Sequence, residues 1–297
     1  MANNCTDGIV HNARQELTSE DKKFAAAYLN ETDEIRENAI AEIRCWIQES
    51  DDLPTQIDDF LILRFLRVCK FNLEKTKVRM QNYYKHRSVL PEWYSNKNPF
   101  QPELQELLEL GIILPLRKPD NQGRLIFIVR GTLQDPRRHK ISDLAKLSIL
   151  MLEAAVKYYP AATVHGYTLF IDIGNLTIRH ILQFSTYILR NAAHTFQNCY
   201  PIRYQKVVFL NASSLFEILM RFIRPFMTEK LKSRFYVYSH EHCFEDISVN
   251  ILPIEYGGTN DTLQELAEYW KEFIEENQDC LTKDETYPDS NTFSNNS

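Results

Sequence analysis

The residues of this 297-residue chain that could do catalytic or metal chemistry are few and scattered. One compact group, His240-Glu241-His242-Cys243, carries ligand-type side chains, but its spacing does not match a tetrahedral zinc site and no second group lies near it. Asp172 closes a predicted strand, where a carboxylate serves as a cap or turn anchor more often than as a catalytic group. We therefore predict a protein that is not an enzyme, with no catalytic residue and no metal site.

Glycine-based motifs for nucleotide and hydrolase chemistry are also missing from the sequence. The chain has 8 glycines, and neither the GxGxxG pattern of dinucleotide-binding folds nor the P-loop pattern occurs. The GxSxG turn that presents the nucleophile of α/β-hydrolases does not occur either. The residues therefore predict neither nucleotide chemistry nor acyl transfer.

Basic residues around one predicted strand could instead bind anionic groups. Lys230 and Arg234 are four positions apart and share a helical face. With their basic neighbours they could form a cationic cleft for phosphate groups. A solvated charged face, balanced by Glu217 and Glu229, is the alternative. The candidate phosphate-binding residues are Arg203, Lys206, Lys230, Lys232 and Arg234.

The segment 214–227 is unusually apolar for a surface helix. Its apolar side chains cover well over half of the helical circumference, whereas a surface helix has an apolar stripe of about 100°. Pro225 should kink or end this helix. The pattern predicts either a deeply buried core helix or a hinged lid over an apolar hollow.

Composition excludes several broad classes of protein. The 34 basic and 40 acidic residues give a net charge of −6, and a nucleic-acid binder usually has a basic excess, so we predict no nucleic-acid partner. The six cysteines form no CxxC pair, and the N-terminus has no signal-peptide pattern. No apolar run approaches the roughly 18–20 residues of a membrane span. These features predict a cytoplasmic protein whose membrane contact is peripheral.

The apolar pattern changes in character near Pro119. Helical periodicity before it predicts a small bundle, whereas the later runs RLIFIVR, YTLFIDI and KVVFL predict strands separated by helices. This alternation favours an α/β fold class with βαβ units and a mainly parallel sheet. The predicted strands are 124–130, 167–173 and 206–210, and the later helices are 142–158, 178–196, 214–227 and 262–275. The predicted domains are a disordered N-terminus (1–17), a helical domain (18–100), an α/β domain (101–277) and a disordered acidic tail (278–297).

Four short motifs occur together in an order that is specific in combination. They are LRFLR at 63–67 with KF at 70–71, YPIR at 200–203, RPFMTEK at 224–230 and LPIEYGG at 252–258. In these motifs the chain resembles the CRAL-TRIO family of lipid-transfer proteins, and within it the tocopherol and retinaldehyde carriers. The resemblance covers roughly residues 53–277. It implies an N-terminal helical domain followed by a sheet whose hollow holds one lipophilic ligand under a mobile lid helix.

The resemblance also implies which residues line the hollow. Strand alternation sends Tyr167 and Ile171 to the face opposite Phe170, and we favour the Tyr167 face. Ser148 is a candidate anchor for a ligand hydroxyl, and a satisfied core serine is the equal alternative. The expected ligand-binding residues are Ser148, Leu152, Tyr167, Ile171, Phe196 and Val207, with Leu215, Leu219, Phe222, Ile223 and Met227 from the lid.

The tocopherol-carrier branch of the family has a basic cleft for phosphoinositide headgroups, which the resemblance extends to this chain in part. Arg203, Lys230 and Arg234 stand at matching positions. Cys69 and Gln205 replace two expected arginines. The residues that could compensate are Lys70, Lys206 and Lys232.

The resemblance implies an intracellular lipid transfer protein that needs no cofactor beyond its bound lipophile. Its partners would be a hydrophobic small molecule, such as a tocopherol or a retinoid, and an anionic membrane surface containing phosphoinositides. The alternative is a phosphoinositide-binding trafficking or scaffold protein, in which lipid occupancy is a signal and cargo delivery is incidental.

Overall fold

The computed structural model describes residues 17–50, 52–238, 244 and 247–282. Helices occupy most of the first hundred residues and alternate with strands afterwards. The α-helices are α1 (Ser19–Leu29), α2 (Asp33–Gln48), α3 (Asp59–Val68), α4 (Leu73–Val89), α5 (Pro91–Tyr94), α6 (Pro102–Glu109), α7 (Ile141–Tyr158), α8 (Ala162–His165), α9 (Ile178–Leu182), α10 (Thr186–His194), α11 (Ser214–Ile223), α12 (Glu229–Lys232), α13 (Leu263–Glu276) and α14 (Gln278–Leu281). The strands are β1 (Ile113–Pro115), β2 (Leu125–Val129), β3 (Tyr167–Asp172), β4 (Tyr204–Leu210) and β5 (Phe235–Tyr238).

The five strands form one sheet in the order β1-β2-β3-β4-β5. The pairs from β2 to β5 are parallel, and β1 alone runs antiparallel to its neighbour β2. The predicted α/β class with a mainly parallel sheet is therefore confirmed. Strands β1 and β5 were not predicted. Both are short edge strands, and their three or four residues are too few to show an alternation of apolar and polar side chains.

Local capping explains where several helices begin. The Asn72 side chain accepts a hydrogen bond from the Lys75 N–H and so caps the start of α4. Thr262 and Glu265 form a reciprocal capping box at the start of α13. Such caps satisfy backbone N–H groups that the first helical turn leaves without partners, and they are visible in the sequence alone.

The predicted helix 178–196 is wrong in one respect, because the structure divides it. Helix α9 ends at Leu182, and the Ser185 hydroxyl then accepts from the Ile188 N–H to cap a new helix, α10. A π-helical turn, Thr195–Cys199, follows α10. Serine favours N-caps over helix interiors, and this preference ends one helix and starts the next.

The C-terminal tail prediction is wrong for its first residues. Helix α14 forms at Gln278–Leu281, and the Leu281 side chain is buried in the core. A buried leucine stabilises this helical turn, whereas composition alone suggested a solvated segment. The rest of the predicted tail, 283–297, and most of the predicted disordered N-terminus, 1–16, lie outside the described residues.

Two arginines of the LRFLR motif tie the N-terminal helices to the later part of the chain. The Arg64 guanidinium forms a bidentate pair with Glu153 on α7, at 2.6 and 3.0 Å. The Arg67 guanidinium forms another with buried Glu31, at 2.7 and 2.8 Å, and donates to the Thr163 hydroxyl at 2.6 Å. Both arginines are buried, so their charges depend on these partners.

Candidate functional site

The two faces of the sheet have different neighbours. Because the strands pair in parallel register, Ile171 and Phe209 are paired and share one face. The Phe209 ring lies 4.7 Å from the Phe216 ring of α11, so this is the face that α11 covers. Phe170 points to the opposite face, where its ring lies 4.7 Å from that of Phe244. Tyr167, Ile171 and Val207 thus lie on the α11 face by alternation.

Helix α11, which we call the lid helix, has apolar side chains on its buried and its exposed side. Phe216 and Leu219 are buried against the body of the protein. Ile218 and Phe222 remain 42% and 58% exposed. The helix ends at Ile223, and a 3-10 turn, Arg224–Phe226, follows. Pro225 therefore lies in the first turn of a new helical segment, where its missing N–H removes no hydrogen bond.

The predicted ligand-lining residues divide into three groups in this structure. Tyr167, Val207, Leu152, Leu219 and Met227 are buried, which is compatible with lining an interior. Leu215, Ile223 and Ile171 are half-buried.

Phe222 and Phe196 form the third group, and neither lies in the interior. The Phe222 side chain points to solvent, and the Phe196 ring is exposed and stacks on Tyr204 at 4.7 Å. Contact of these two side chains with a ligand stays a prediction, and both are exposed in this structure. Helical spacing predicts Phe222 on the same side as Leu219. In the structure the lid helix contacts the sheet through Phe216, and this orientation leaves Phe222 exposed. The π-helical turn around Phe196 adds a residue per turn and so changes the face on which that side chain emerges.

Ser148 is exposed on α7, and its hydroxyl donates to the Leu144 carbonyl at 2.7 Å. This is the usual i−4 bond of a helical serine. The hydroxyl oxygen keeps its acceptor capacity, so a role as a ligand anchor stays a prediction.

A cluster of cations lies beside the lid helix, at the start of β4 and on α12. Burial lowers the pKa of Lys230, and the charges of Arg234, Arg79, Lys70 and Lys75 lower it further. Among the described residues, no carboxylate pairs with these five side chains. We call Arg79, Arg203, Lys230 and Arg234, with Lys70 and Lys75 at its rim, the cationic cleft.

Arg203 is a half-buried residue of the cationic cleft. Its pKa is lowered to about 10 by burial first and by the Arg234 charge second. The guanidinium donates to the Val164 carbonyl, while its buried Nε finds no partner among the described residues. Gly166 allows this close approach, since a Cβ there would lie 2.6 Å from the Arg203 carbonyl oxygen. Like-charged groups held together in this way favour an anion between them.

Arg79 is the residue of the cleft that sequence reasoning missed. Its guanidinium donates to the carbonyls of Tyr200, at 2.7 Å, and Gln197. The contact joins α4 to a turn 121 residues later in the chain. No local sequence pattern predicts a contact over that separation. It places a guanidinium near Cys69, the position where the resemblance expects an arginine.

Lys206 and Lys232 were predicted to compensate for the missing arginines, but both already have partners. The Lys206 ammonium lies over the rings of Tyr236 and Tyr238, at 5.3 and 5.2 Å. The Lys232 ammonium pairs with the Glu229 carboxylate at 2.8 Å. Their contribution to anion binding should be smaller than that of Lys230 and Arg234.

Of the two candidate chemical groups of the sequence, Asp172 is the one that the structure describes. Asp172 accepts hydrogen bonds from the Gly174 N–H and the Asn211 amide, each at 2.9 Å, and from the Tyr256 hydroxyl at 3.0 Å. It therefore acts as a turn anchor. The run His240-Glu241-His242-Cys243 lies outside the described residues. Within 17–50, 52–238, 244 and 247–282, no cluster of three metal-ligating side chains occurs.

Among the helices in the described part of the chain, none is both long enough and apolar enough to cross a bilayer.

Comparison with known proteins agrees with this architecture. The alpha-tocopherol transfer protein-like protein of Mus musculus is 27% identical over 257 residues, which are 86% of this chain and 71% of that protein. Clavesin-2 of Homo sapiens is 28% identical over 245 residues, or 82% of this chain and 75% of its own. A crystal structure of Sfh5 shares the fold with a TM-score of 0.52 at 13% identity, covering 84% of this chain and 98% of that one.

Two family models match the chain in succession. The Pinta-like UBA domain matches residues 32–104, within the N-terminal helices. The CRAL/TRIO domain matches residues 110–258, which hold the sheet, the lid helix and the cationic residues of β4 and α12. The chain therefore belongs to the CRAL/TRIO family, whose members bind and transfer lipids.

Proposed function

We propose that this protein binds one hydrophobic lipid, of the tocopherol or retinoid kind, between the lid helix and the sheet and releases it at membranes. The observation that carries the proposal is the double-sided apolar surface of the lid helix. Phe216 and Leu219 are buried toward the sheet, while Ile218 and Phe222 face solvent. A helix that only completed a core would have a polar outer side.

The energy available to such a carrier is sufficient without covalent chemistry. Removing about 300 Å² of ligand apolar surface from water is worth on the order of 7 kcal/mol at about 25 cal/mol per Å². Part of this offsets the lost freedom of the bound lipid. Release requires only that the lid helix find a comparable apolar surface elsewhere, and the interface of a bilayer offers one.

Exposed apolar side chains outside the lid helix support a membrane-facing surface. Ile178 and Leu182 on α9 are 62% and 77% exposed. Large exposed apolar side chains on neighbouring turns of one helix favour contact with an apolar phase. The protein would thus work from the cytoplasm and meet membranes, endosomal ones included, peripherally and transiently.

The cationic cleft supports coupling of release to phosphoinositides. Lys230 on α12 follows the lid helix by a few residues, so an anion bound there would adjoin the segment that must move. Arg203, Arg79 and Arg234 supply guanidinium donors, which suit the oxygens of phosphate groups. An anionic headgroup would offset the mutual repulsion that lowers the pKa of Lys230.

A second candidate function is a phosphoinositide-binding trafficking or scaffold protein. The cationic cleft favours it, because its residues could bind a membrane surface whether or not the hollow is filled. In that case charge reversal at Lys230 and Arg234 would abolish membrane recruitment, and loss of the bound lipid would have no effect on it.

The first experiment is mass spectrometry of lipids extracted from the protein purified from its native tissue. Leu219→Asp should lose a lipophile that is otherwise enriched near one per chain, because the charge would face the hollow. Ile218→Asp is the matched control, since its exposed side chain should tolerate a charge and keep the lipid. The same lipid profile in wild type and Leu219→Asp would contradict the carrier proposal and favour the membrane-signalling alternative.

A further inference from the structure

A pocket of about 450 Å³ lies apart from the sheet face that the lid helix covers. It opens between α4, α10 and the two turns that follow α10 and the lid helix. Its volume is within the usual range for small-molecule sites. We call it the hinge pocket, and its lining residues are Asn82, Lys85, His86, Val89, Tyr187, Arg190, Asn191, His194, Gln197, Asn198 and Phe226.

The charge of the hinge pocket has one sign. Lys85 and Arg190 are exposed at its edge, and neither has a carboxylate partner in the described part of the chain. No aspartate or glutamate is among the described residues that line it. The amides of Asn82, Asn191 and Asn198 can supply further N–H donors, with one N–H each of Asn191 and Asn198 already directed to a protein acceptor. This set of groups is suited to an anion and not to a cation.

A buried histidine completes the floor of the hinge pocket. His86 is 6% exposed, its Nδ1 lies 2.9 Å from the Tyr94 hydroxyl, and its Nε2 has no hydrogen-bond partner in the described residues. When the Tyr94 hydroxyl donates to Nδ1, the neutral ring carries its proton on Nε2, as a donor. An unpaired buried donor in a pocket wall calls for an acceptor on a ligand.

We propose that the hinge pocket binds a small molecule that carries a phosphate monoester on an apolar body. The phosphate oxygens would accept from Lys85, Arg190 and the His86 Nε2–H. The apolar body would rest against Tyr187 and Phe226. A phosphate offers three acceptor oxygens and close to two negative charges, which matches two cations and several neutral donors.

Occupancy of this pocket bears on the segment that follows the lid helix. The Gln197 amide lines the pocket, donates to the Phe226 carbonyl at 2.9 Å and accepts from the Thr228 N–H at 2.6 Å. A ligand in contact with Gln197 and Phe226 would hold this segment in place and so slow opening of the lid helix. This coupling, unlike the binding site itself, rests on the proposed function.

The test is a titration of phenyl phosphate into the full chain. The readout is the change in tryptophan fluorescence, to which Trp93 should respond because its ring lies 6.1 Å from that of His86. Wild type should bind phenyl phosphate more tightly than inorganic phosphate or benzyl alcohol, each of which lacks one half of the ligand. Lys85→Glu with Arg190→Glu should weaken binding at least about tenfold, and the glutamine pair should give an intermediate loss. Both side chains are exposed, so the fold should tolerate the changes.

Lys22→Glu with Lys23→Glu is the matched control, because both side chains are exposed on α1 and belong neither to the hinge pocket nor to the cationic cleft. It should leave phenyl phosphate binding unchanged. Equal affinity of wild type and the Lys85/Arg190 variant would overturn the proposal, as would an equal loss of affinity in the Lys22/Lys23 variant. Vesicles of phosphatidylcholine with phosphatidic acid distinguish the source of the phosphate. If vesicle binding requires Lys85 and Arg190, the ligand is a lipid headgroup. If vesicle binding is independent of these two residues, the ligand is a soluble phosphomonoester.

A separate readout tests the coupling. Phenyl phosphate should slow release of the bound lipophile from wild type and should have no effect on release from the Lys85/Arg190 variant. An unchanged release rate at saturating phenyl phosphate would overturn the coupling. A chain that binds phenyl phosphate but holds no lipophile would support the site and contradict the carrier function, so the two failures are distinct.

Discussion

The Phe216 ring of the lid helix packs 4.7 Å from the Phe209 ring of β4, which fixes where the lid helix meets the sheet. Through this aromatic pair the lid helix rests on one face of the sheet while Phe222, nearly two turns later, faces solvent. Aromatic pairs at such distances contribute about 0.5–1.5 kcal/mol beyond the area they bury. A contact of this size holds the lid helix and is small enough to exchange for a membrane contact.

Phe222→Asp should weaken binding to neutral phosphatidylcholine vesicles about five- to tenfold without lowering thermal stability. The side chain is 58% exposed, so its loss costs the fold little, whereas its insertion into a bilayer would be worth about 1–2 kcal/mol. Tyr28→Asp is the matched control, because Tyr28 is 59% exposed but lies on α1. Vesicle flotation measures the effect, and equal losses in both variants would remove the lid helix from the membrane surface.

Lys230→Glu with Arg234→Glu should lower affinity for vesicles containing phosphoinositides by at least about tenfold at low salt. Each cation near an anionic surface contributes about 1 kcal/mol, and salt screens the attraction. Lys206→Glu with Lys232→Glu changes the charge by the same amount, but those ammonium groups already contact tyrosine rings and Glu229. A co-sedimentation series over ionic strength should show the smaller loss in this control. Indistinguishable losses would indicate a diffuse surface charge and no cleft.

Arg67→Ala should destabilise the protein by up to about 3–5 kcal/mol, because it removes the bidentate partner of the buried Glu31 carboxylate and leaves it only Arg36, at 3.6 Å. Arg44→Ala, which breaks an exposed pair with Asp59, should cost less than about 1 kcal/mol. Urea unfolding of both variants at neutral pH measures the difference. Similar free energies of unfolding for the two would mean that the LRFLR arginine does not tie the N-terminal helices to α8.

Acidification should destabilise the protein through His86, whose pKa is lowered to about 4 by burial first and by His194 second. The unfolded chain binds a proton below about pH 6.5 and the folded chain only near pH 4, so the free energy of unfolding should fall as the pH falls through this window. The loss attributable to this group is at most about 3 kcal/mol. Denaturant melts of wild type and His86→Gln between pH 7 and pH 4.5 test it: parallel curves would contradict the assignment.

Much of the fold could be predicted because its signals are local. The run YTLFIDI is apolar on both faces, as a central parallel strand requires, and it forms β3. Asn72 caps α4 with its own side chain, three residues from the N–H that it binds. The apolar circumference of the lid segment predicted an unusual helix. It did not predict which side of the helix is buried, because an all-apolar helix has no pattern that selects one side.

The candidate sites were predictable only in part. Lys230 and Arg234 are four residues apart, so their proximity follows from spacing, although α12 ends at Lys232 and Arg234 lies beyond it. Arg79 and Tyr200 meet across 121 residues, and His86 and His194 meet with ring centroids 5.5 Å apart through the contact of α4 with α10. No periodicity within either segment encodes such a meeting.

Sequence alone determined the class of fold, the starts of several helices, the family motifs and the proximity of Lys230 and Arg234, because these depend on residues a few positions apart. Tertiary structure decided which side of the lid helix is buried, which cations are already paired and which histidines close the hinge pocket. Those outcomes depend on how whole helices and strands pack against each other. Packing brings together segments far apart in the chain, and the shape, burial and charge of both segments then decide the result.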